Sequence, residues 1–362
     1  MRFQKASHNV LYGMQFKIRH ARLSRFLFCG DTESDKDYVG EQMLQMKING
    51  KLIELRDCES EPLSYPDLIA GLTEEAKITV QGICTSTGKS SKLTYYWPVK
   101  TTAHFCLVDG GVYPPGHAGS NDFQVFLDKN ISDSEDKRED VAKFFNHCQI
   151  NPLFGCFERH FATFEEFKTE HDDYAAKRIA QSFSKCMPFG DETLKKIYKF
   201  RQSLHATEQI EAEFLANVSS DIAAPVGAGK KCLAIKKIVY EADTCSLDKK
   251  GIVFICALQM ILCRQIKYGQ PAREVLKLKP GMTPAQAMNG LADLRQIKML
   301  ALAKCLDVDC CLITNDVNLA LLWAALRMKG VKDTIPPQME IAPHKNLFSD
   351  FEMKDVVEII EG

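Results

Sequence analysis

The chain has 362 residues, of which 45% are hydrophobic and 26% charged, and its formal net charge at pH 7 is −1. These values are typical of a globular protein of one to three domains, and they give no support to extended wrapping of nucleic acid. The longest apolar run, residues 251–263, is too short to cross a bilayer, so we expect no membrane span.

Fourteen cysteines lie mostly in apolar runs, and no two of them form a CxxC pair. The ligand spacings that a structural zinc site requires are therefore missing. Buried thiols of this kind are typical of a reducing compartment. We predict a cytoplasmic protein, or one of another reducing intracellular compartment, without a disulfide framework.

Residues 1–130 read as strands separated by turn signals. In residues 42–55 the pair Asn49-Gly50 supplies the two positive φ angles of a type I′ hairpin turn. Further strands are predicted over residues 77–84, 93–97, 103–109 and 123–128. The pattern predicts a strand-rich N-terminal domain over 1–130.

Residues 131–220 form a predicted helical segment, with helices to about residue 148 and over 161–185 and 192–217. The run 219–231 is rich in small residues, Pro and Gly, which marks a domain boundary. We therefore place a third region at 221–362.

The region 221–362 alternates between predicted strands and helices. Strands are predicted over 234–242, 310–314 and 338–342, whereas periodicity leaves 251–265 undecided between strand and helix. Thr283 and Gln286 form a capping box that begins a helix, and Gly330 would follow the end of a helix over 317–329. This alternation predicts a C-terminal α/β domain with a parallel sheet.

Acidic residues occupy the positions in this region where a ligand site is expected. Asp293 lies on the predicted helix that precedes the strand 310–314, and Asp316 follows that strand. In open α/β sheets ligands gather beyond the carboxyl ends of strands, and carboxylate oxygens suit Mg²⁺ and Mn²⁺. Asp293 and Asp316 are therefore candidate ligands of a divalent cation.

Residues 235–342, and most clearly the run ITNDVNL at 313–319, resemble PIN-type ribonucleases. The resemblance implies a parallel α/β fold whose clustered carboxylates hold Mg²⁺ or Mn²⁺ for phosphodiester hydrolysis, with RNA as the partner. It implies Asp243, after the predicted strand 234–242, as a third metal ligand beside Asp293 and Asp316, with Asn315 or Thr314 as supporting polar groups. The chain departs from the family because only 50 residues separate Asp243 from Asp293, and FICALQMILCRQ contains no acid. Two alternatives follow: a metal-dependent nuclease, or a catalytically degenerate PIN-like protein that binds nucleic acid.

Each of these aspartates also has a simpler structural interpretation. Asp is a preferred N-cap, so Asp316 would serve the helix that begins at Val317. Asp293 would be a solvated helix position, and Asp243 an ordinary turn residue.

A second candidate site lies in the N-terminal domain, where His104 opens a strand and Asp109 ends it. The arrangement loosely resembles the histidine half of papain-like or transglutaminase-like folds, which implies a cysteine-dependent hydrolase or acyl transferase. Asp109 or Asp122 would orient His104, and Cys58 or Cys84 would be the nucleophile. A third alternative is a non-enzymatic interaction protein whose N-terminal domain binds a protein partner.

Overall fold

The protein is a mixed α/β structure, which confirms the class predicted from the sequence. The computed structural model describes residues 16–18, 44–48, 51–114, 124–145, 148–156, 160–263, 270–303, 310–331, 338–348 and 353–361. Within these residues the strands form two five-stranded sheets and one two-stranded sheet. None of the helices so described is long and apolar enough to cross a membrane.

The first sheet is built from the amino-terminal part of the chain. Its strands are β1 (Phe16–Ile18), β2 (Leu44–Ile48), β3 (Lys51–Ser60), β4 (Ala76–Cys84) and β5 (Lys89–Trp97). Their spatial order is β1-β5-β4-β3-β2, with β1 parallel to β5 and the other pairs antiparallel. Ile48 pairs with Lys51, which confirms the predicted hairpin, although Asn49 and Gly50 themselves lie outside the described residues.

The second sheet combines strands from distant parts of the chain. Its strands are β6 (Phe105–Val108), β7 (Gly111–Tyr113), β8 (Gln124–Leu127), β9 (Gln149–Asn151) and β10 (Cys310–Thr314). The order is β7-β6-β10-β8-β9, so the fully buried β10 lies at the centre, antiparallel to β6 and parallel to β8. This sheet therefore crosses the boundary predicted at residues 219–231.

The remaining strands, β11 (Met328–Val331) and β12 (Gln338–Ile341), form an antiparallel pair. In the described part of 221–362 no two strands pair in parallel, so the predicted parallel sheet of this region is not formed there. The parallel partner of β10 is instead β8, far upstream in the chain.

Twelve helices surround the sheets in the described ranges. They are α1 (Tyr65–Thr73), α2 (Lys129–Ser132), α3 (Glu135–Phe145), α4 (Phe164–Tyr174), α5 (Ala180–Ser182), α6 (Asp191–Ile222), α7 (Lys231–Cys245), α8 (Ile252–Leu262), α9 (Pro271–Leu276), α10 (Pro284–Ala303), α11 (Val317–Leu326) and α12 (Met353–Glu361). The long helix α6 packs against α7 and α10, and α8 packs against α6, α7 and α9. The sheets thus meet a helical layer formed mainly by the second half of the chain.

The segment predicted as strand 234–242 is helical and belongs to α7. Its buried residues Ala234, Ile238 and Ala242 recur every four positions, which places them on one face of a helix. The run 251–265, which periodicity left undecided, contains helix α8, whose residues are all buried. Apolar stretches in both segments therefore serve helix packing rather than a sheet.

Two helix ends predicted in the carboxyl-terminal region have different outcomes. The capping box at the start of α10 is confirmed. The backbone N–H of Thr283 donates to Gln286 Oε1, and the backbone N–H of Gln286 donates to Thr283 Oγ1. The helix predicted over 317–329 ends earlier, at Leu326, where Arg327 adopts φ of 49° and β11 begins directly afterwards. Gly330 therefore lies in a strand and does not terminate the helix.

Candidate functional site

Two aspartates meet where the neighbouring parallel strands β8 and β10 end. Asp128 follows the last residue of β8, and Asp316 lies two residues beyond the end of β10. The strands are in register at Leu127 and Ile313, and the Asp128 amide donates to Ile313 O at 2.9 Å. Because parallel strands end at the same edge of a sheet, the two carboxylates occupy one edge.

The carboxyl group of Asp128 is buried and firmly held. The Thr314 hydroxyl donates to Asp128 Oδ2 at 2.6 Å, and Asn130 N donates to Asp128 Oδ1 at 3.1 Å. Only 1% of Asp128 is exposed to solvent. Its orientation is therefore fixed by the end of β10 on one side and by the first turn of α2 on the other.

Asp316 is the N-cap of α11, as its simpler interpretation predicted. Its Oδ1 accepts from Asn318 N at 2.8 Å and from Leu319 N at 3.3 Å, while its own amide donates to Thr314 Oγ1 at 3.1 Å. Among the residues that the structure describes, none donates a hydrogen bond to Oδ2 of Asp316. The cap thus uses one carboxylate oxygen and leaves the other available.

The electrostatics of this edge favour a proton on Asp128. Burial raises the pKa of Asp128 above its ordinary value, and the nearby charge of Asp316 adds to this effect. Interactions with the Thr314 hydroxyl, the backbone N–H of Asn130 and the side-chain amide of Gln296 oppose the rise in the pKa of Asp128. A buried carboxyl group near a second carboxylate behaves in this way, and a bound cation would reverse the effect.

Gln296 of α10 is the third polar side chain at this edge. Its side chain is 1% exposed and lies beside the Asp128 carboxyl. Neither its Oε1 nor its Nε2 has a hydrogen-bond partner of good geometry among the described residues. Buried amides are normally satisfied, so this position needs an explanation.

The structure does not bring the three predicted ligands together. Asp243 is exposed in the last turn of α7, where its carboxylate lies 3.3 Å from Lys249 Nζ. Asp293 is half-buried on α10 and lines a small cavity with Leu276 and Gly290. Over the described ranges no three His, Cys, Asp or Glu side chains are close enough to hold a metal ion, and Asp243, Asp293 and Asp316 form no such group there.

Asp128 is the residue that sequence reasoning missed. The strand predicted over 123–128 is confirmed as β8, but the predicted ligand set does not include the acidic residue at its carboxyl end. The signal was present, because QVFL is followed directly by Asp128 as CCLIT is followed by Asn315 and Asp316. The resemblance to PIN-type ribonucleases assigns this position to Asp243 instead, because the sequence predicts a strand over 234–242.

The second candidate site is not assembled around His104 in the way predicted. His104 is buried, and its Nε2 lies 2.9 Å from Asp140 Oδ2 on α3. Asp109 is exposed at the turn between β6 and β7, and Asp122 lies outside the described residues. Asp140 therefore replaces both predicted partners of the imidazole.

Cys84 is too distant to form a nucleophilic pair with His104. Cys84 is the last residue of β4 and Ala76 is the first. The eight-residue separation of these two positions corresponds to roughly 26 Å along an extended strand. The end of β4 that lies near His104 is the opposite one, at Ala76. Ala76 pairs with Trp97, and the Trp97 ring is 5.8 Å from the ring of Phe105, which follows His104 in the chain. Burial would raise the pKa of the Cys84 thiol, but hydrogen bonds with Ser86 and Thr87 outweigh burial and lower it.

The other predicted nucleophile, Cys58, lies in β3, and its side chain is outside what the structure describes.

No protein-family model matches the chain, and no match was found among curated proteins or solved structures. The resemblance of residues 235–342 to PIN-type ribonucleases thus stays a prediction. The function is inferred below from the geometry of the Asp128–Asp316 edge.

Proposed function

We propose that the protein is a divalent-cation-dependent nuclease related to PIN-type ribonucleases, with its centre at Asp128 and Asp316. The observation that carries this proposal is the meeting of these two carboxylates at the carboxyl ends of β8 and β10. This is the edge at which open α/β sheets collect ligands. The centre differs from the predicted one, because Asp128 takes the place assigned to Asp243.

The donor set at this edge fits Mg²⁺ or Mn²⁺. Both are hard cations that take oxygen ligands, and Mg²⁺ is commonly held by one or two carboxylates together with water and substrate phosphate. Asp128 and Asp316 would supply the carboxylates, and Oδ2 of Asp316 is not engaged by a described donor. When bound, such a cation polarises a phosphate and lowers the pKa of a coordinated water.

The chain's own residues contribute rigidity and charge to this centre. Thr314 holds Asp128 by donating to it and holds the Asp316 backbone by accepting from it, so one hydroxyl fixes both groups. Helix α11 begins at Val317, directly after its N-cap Asp316, and its ten residues direct the positive end of the helix dipole toward the site. A phosphate group would be favoured there for the same reason.

RNA is proposed as the substrate on the resemblance to PIN-type ribonucleases alone. The half-buried Asn315 and Asp316 mark the accessible side of the centre, whereas Asp128 is buried beneath them. A phosphodiester would therefore approach from the Asn315 side. The N-terminal strands would then bind a partner or help to select the substrate.

A second candidate is the catalytically degenerate form, which binds RNA without cleaving it. It is favoured by the absence, within the described residues, of any group of three His, Cys, Asp or Glu side chains suited to a metal ion. It is also favoured by the raised pKa of Asp128, which opposes the ionised form that a cation needs. The two candidates share the site and differ in chemistry.

Thermal unfolding with and without Mn²⁺ tests the cation site. The wild type should be stabilised by about 2.7 kcal/mol at a hundredfold excess of Mn²⁺ over Kd. Asp128→Asn and Asp316→Asn should both lose this stabilisation, and Asn retains the N-cap of α11 because it caps about as well as Asp. Asp243→Asn, at an exposed carboxylate outside the centre, is the matched control and should respond like the wild type.

Incubation with labelled RNA and single-stranded DNA in Mn²⁺ separates the two candidates. Cleavage that disappears in Asp128→Asn and Asp316→Asn supports the nuclease. RNA binding without cleavage supports the degenerate form. A protein that neither responds to Mn²⁺ nor binds RNA would overturn both candidates.

A further inference from the structure

Gln296 stands out among the polar residues of α10. Its neighbours Arg295 and Lys298 are buried too, but they bind carboxylates of α6: Arg295 Nε lies 2.6 Å from Glu208, and Lys298 Nζ 2.6 Å from Glu211. Gln296 points instead to the strand edge, where its amide interacts with the Asp128 carboxyl, and neither Oε1 nor Nε2 has a hydrogen-bond partner of good geometry among the described residues. Since only Nε2 can donate to the Asp128 carboxyl, the acceptor Oε1 of this buried amide is the atom left unengaged beside the Asp128–Asp316 edge.

We infer that Gln296 is the third oxygen donor of the cation site, with Oε1 facing the cation and Nε2 facing Asp128. This inference rests on the proposed function, since it needs a cation between Asp128 and Asp316. An amide suits the role because its oxygen is a hard ligand of the kind that Mg²⁺ and Mn²⁺ accept. Its nitrogen can only donate, and the neighbouring Asp128 carboxylate can accept.

The neutral amide also sets the charge of the site. With Asp128 and Asp316 ionised and Gln296 neutral, the three side chains carry two negative charges, which one divalent cation balances. A carboxylate at position 296 would add a third negative charge in a region where Asp128 and Gln296 are each 1% exposed. The amide thus makes the site suitable for a single cation and keeps the cation-free protein foldable.

Substitutions at position 296 separate ligand binding from folding. Gln296→Leu removes both polar atoms at similar size, and we expect Mn²⁺ affinity, measured by calorimetric titration, to fall at least about tenfold. Gln296→Glu should lower the Tm without Mn²⁺, because three carboxylates repel one another. It should also give a larger Mn²⁺-induced rise in Tm than the wild type, because the added charge strengthens binding.

Gln259→Glu on α8 is the matched control. Gln259 is also fully buried, but α8 packs against α6, α7 and α9. A glutamate there should lower the Tm in the same way and leave the Mn²⁺ response equal to that of the wild type. A general effect of burying a carboxylate is thereby distinguished from an effect on the cation site.

Different experimental results would overturn this inference and the proposed function. A wild type that binds Mn²⁺ through Asp128 and Asp316, with Gln296→Leu binding equally well, overturns the inference and leaves the proposed function intact. A wild type that does not bind Mn²⁺ overturns the proposed function and the inference with it. Should Gln296→Leu not fold, a folded Gln296→Glu with a wild-type Mn²⁺ response overturns the inference.

Discussion

The imidazole of His104 is 4% exposed, and its single polar contact of good geometry in the described residues is with Asp140. Burial lowers the pKa of His104 below its ordinary value of 6.5, although the hydrogen bond and the charge of Asp140 act in the opposite direction. Hydrogen bonding to Lys143 lowers the pKa of Asp140, which is thus ready to accept from the neutral Nε2–H. His104 is in this way suited to fastening α3 against the start of β6.

The lowered pKa of His104 predicts how stability depends on pH. Below about pH 6.5 the unfolded chain takes up a proton that the folded chain resists, so stability is full above this pH and is lost as the pH falls through it. His104→Gln keeps a donor for Asp140 but cannot titrate. Urea unfolding from pH 8 to pH 5 should therefore show a smaller loss of stability in this variant, and equal slopes would contradict the assignment.

At the scale of one element, the N-cap residue of helix α11 determines where the helix begins. Asp316 caps it with two backbone hydrogen bonds, and the helix that follows is almost entirely buried from Leu319 to Leu326. The Trp323 indole donates to Val108 O and Gly111 O, which anchors α11 over β6 and β7. The position of the Asp316 carboxylate is therefore determined by the packing of the whole helix.

Substitutions of Asp316 should distinguish the cap from the cation site. Asp316→Ala removes the cap and should cost about 1 kcal/mol of unfolding free energy, whereas Asp316→Asn should cost little. Urea unfolding without added metal measures this difference. Equal destabilisation by both variants would show that the carboxylate charge, and not the cap, stabilises the start of α11.

At the scale of the whole molecule, α6 and α10 are joined by buried ion pairs. Glu208 of α6 accepts from Arg201 Nη1 at 2.9 Å and from Arg295 Nε at 2.6 Å, and each of these side chains is less than 5% exposed. Lys298 and Glu211 form a second pair at 2.6 Å. Because α10 also carries Gln296, this network fixes the helix that approaches the Asp128–Asp316 edge.

Removing one partner from this network should be costly. Glu208→Gln leaves two buried guanidinium groups without their shared carboxylate and should destabilise the protein by about 3–5 kcal/mol. Asp173→Asn is the matched control, since Asp173 and Lys177 form an exposed pair worth about 0–1 kcal/mol. Similar losses in both variants by urea unfolding would contradict the importance of the buried network.

The sequence by itself determined the elements whose signals are local. The capping boxes and caps at Thr283 and Asp316, the strand at 310–314 and the hairpin around residues 48–51 depend on neighbours within a few residues, so pattern reasoning finds them. The same reasoning failed at residues 234–242, where a strand was predicted but the burial period of α7 is helical.

Only the tertiary structure decided which strands adjoin and which polar groups meet. The partners of β10 lie about 186 residues upstream, as the Thr314–Asp128 hydrogen bond shows, and no local pattern specifies such a pairing. The approach of Gln296 to Asp128 likewise depends on how α10 is held by α6. Local hydrogen bonding fixes caps and turns, whereas the burial of distant apolar surfaces fixes the site.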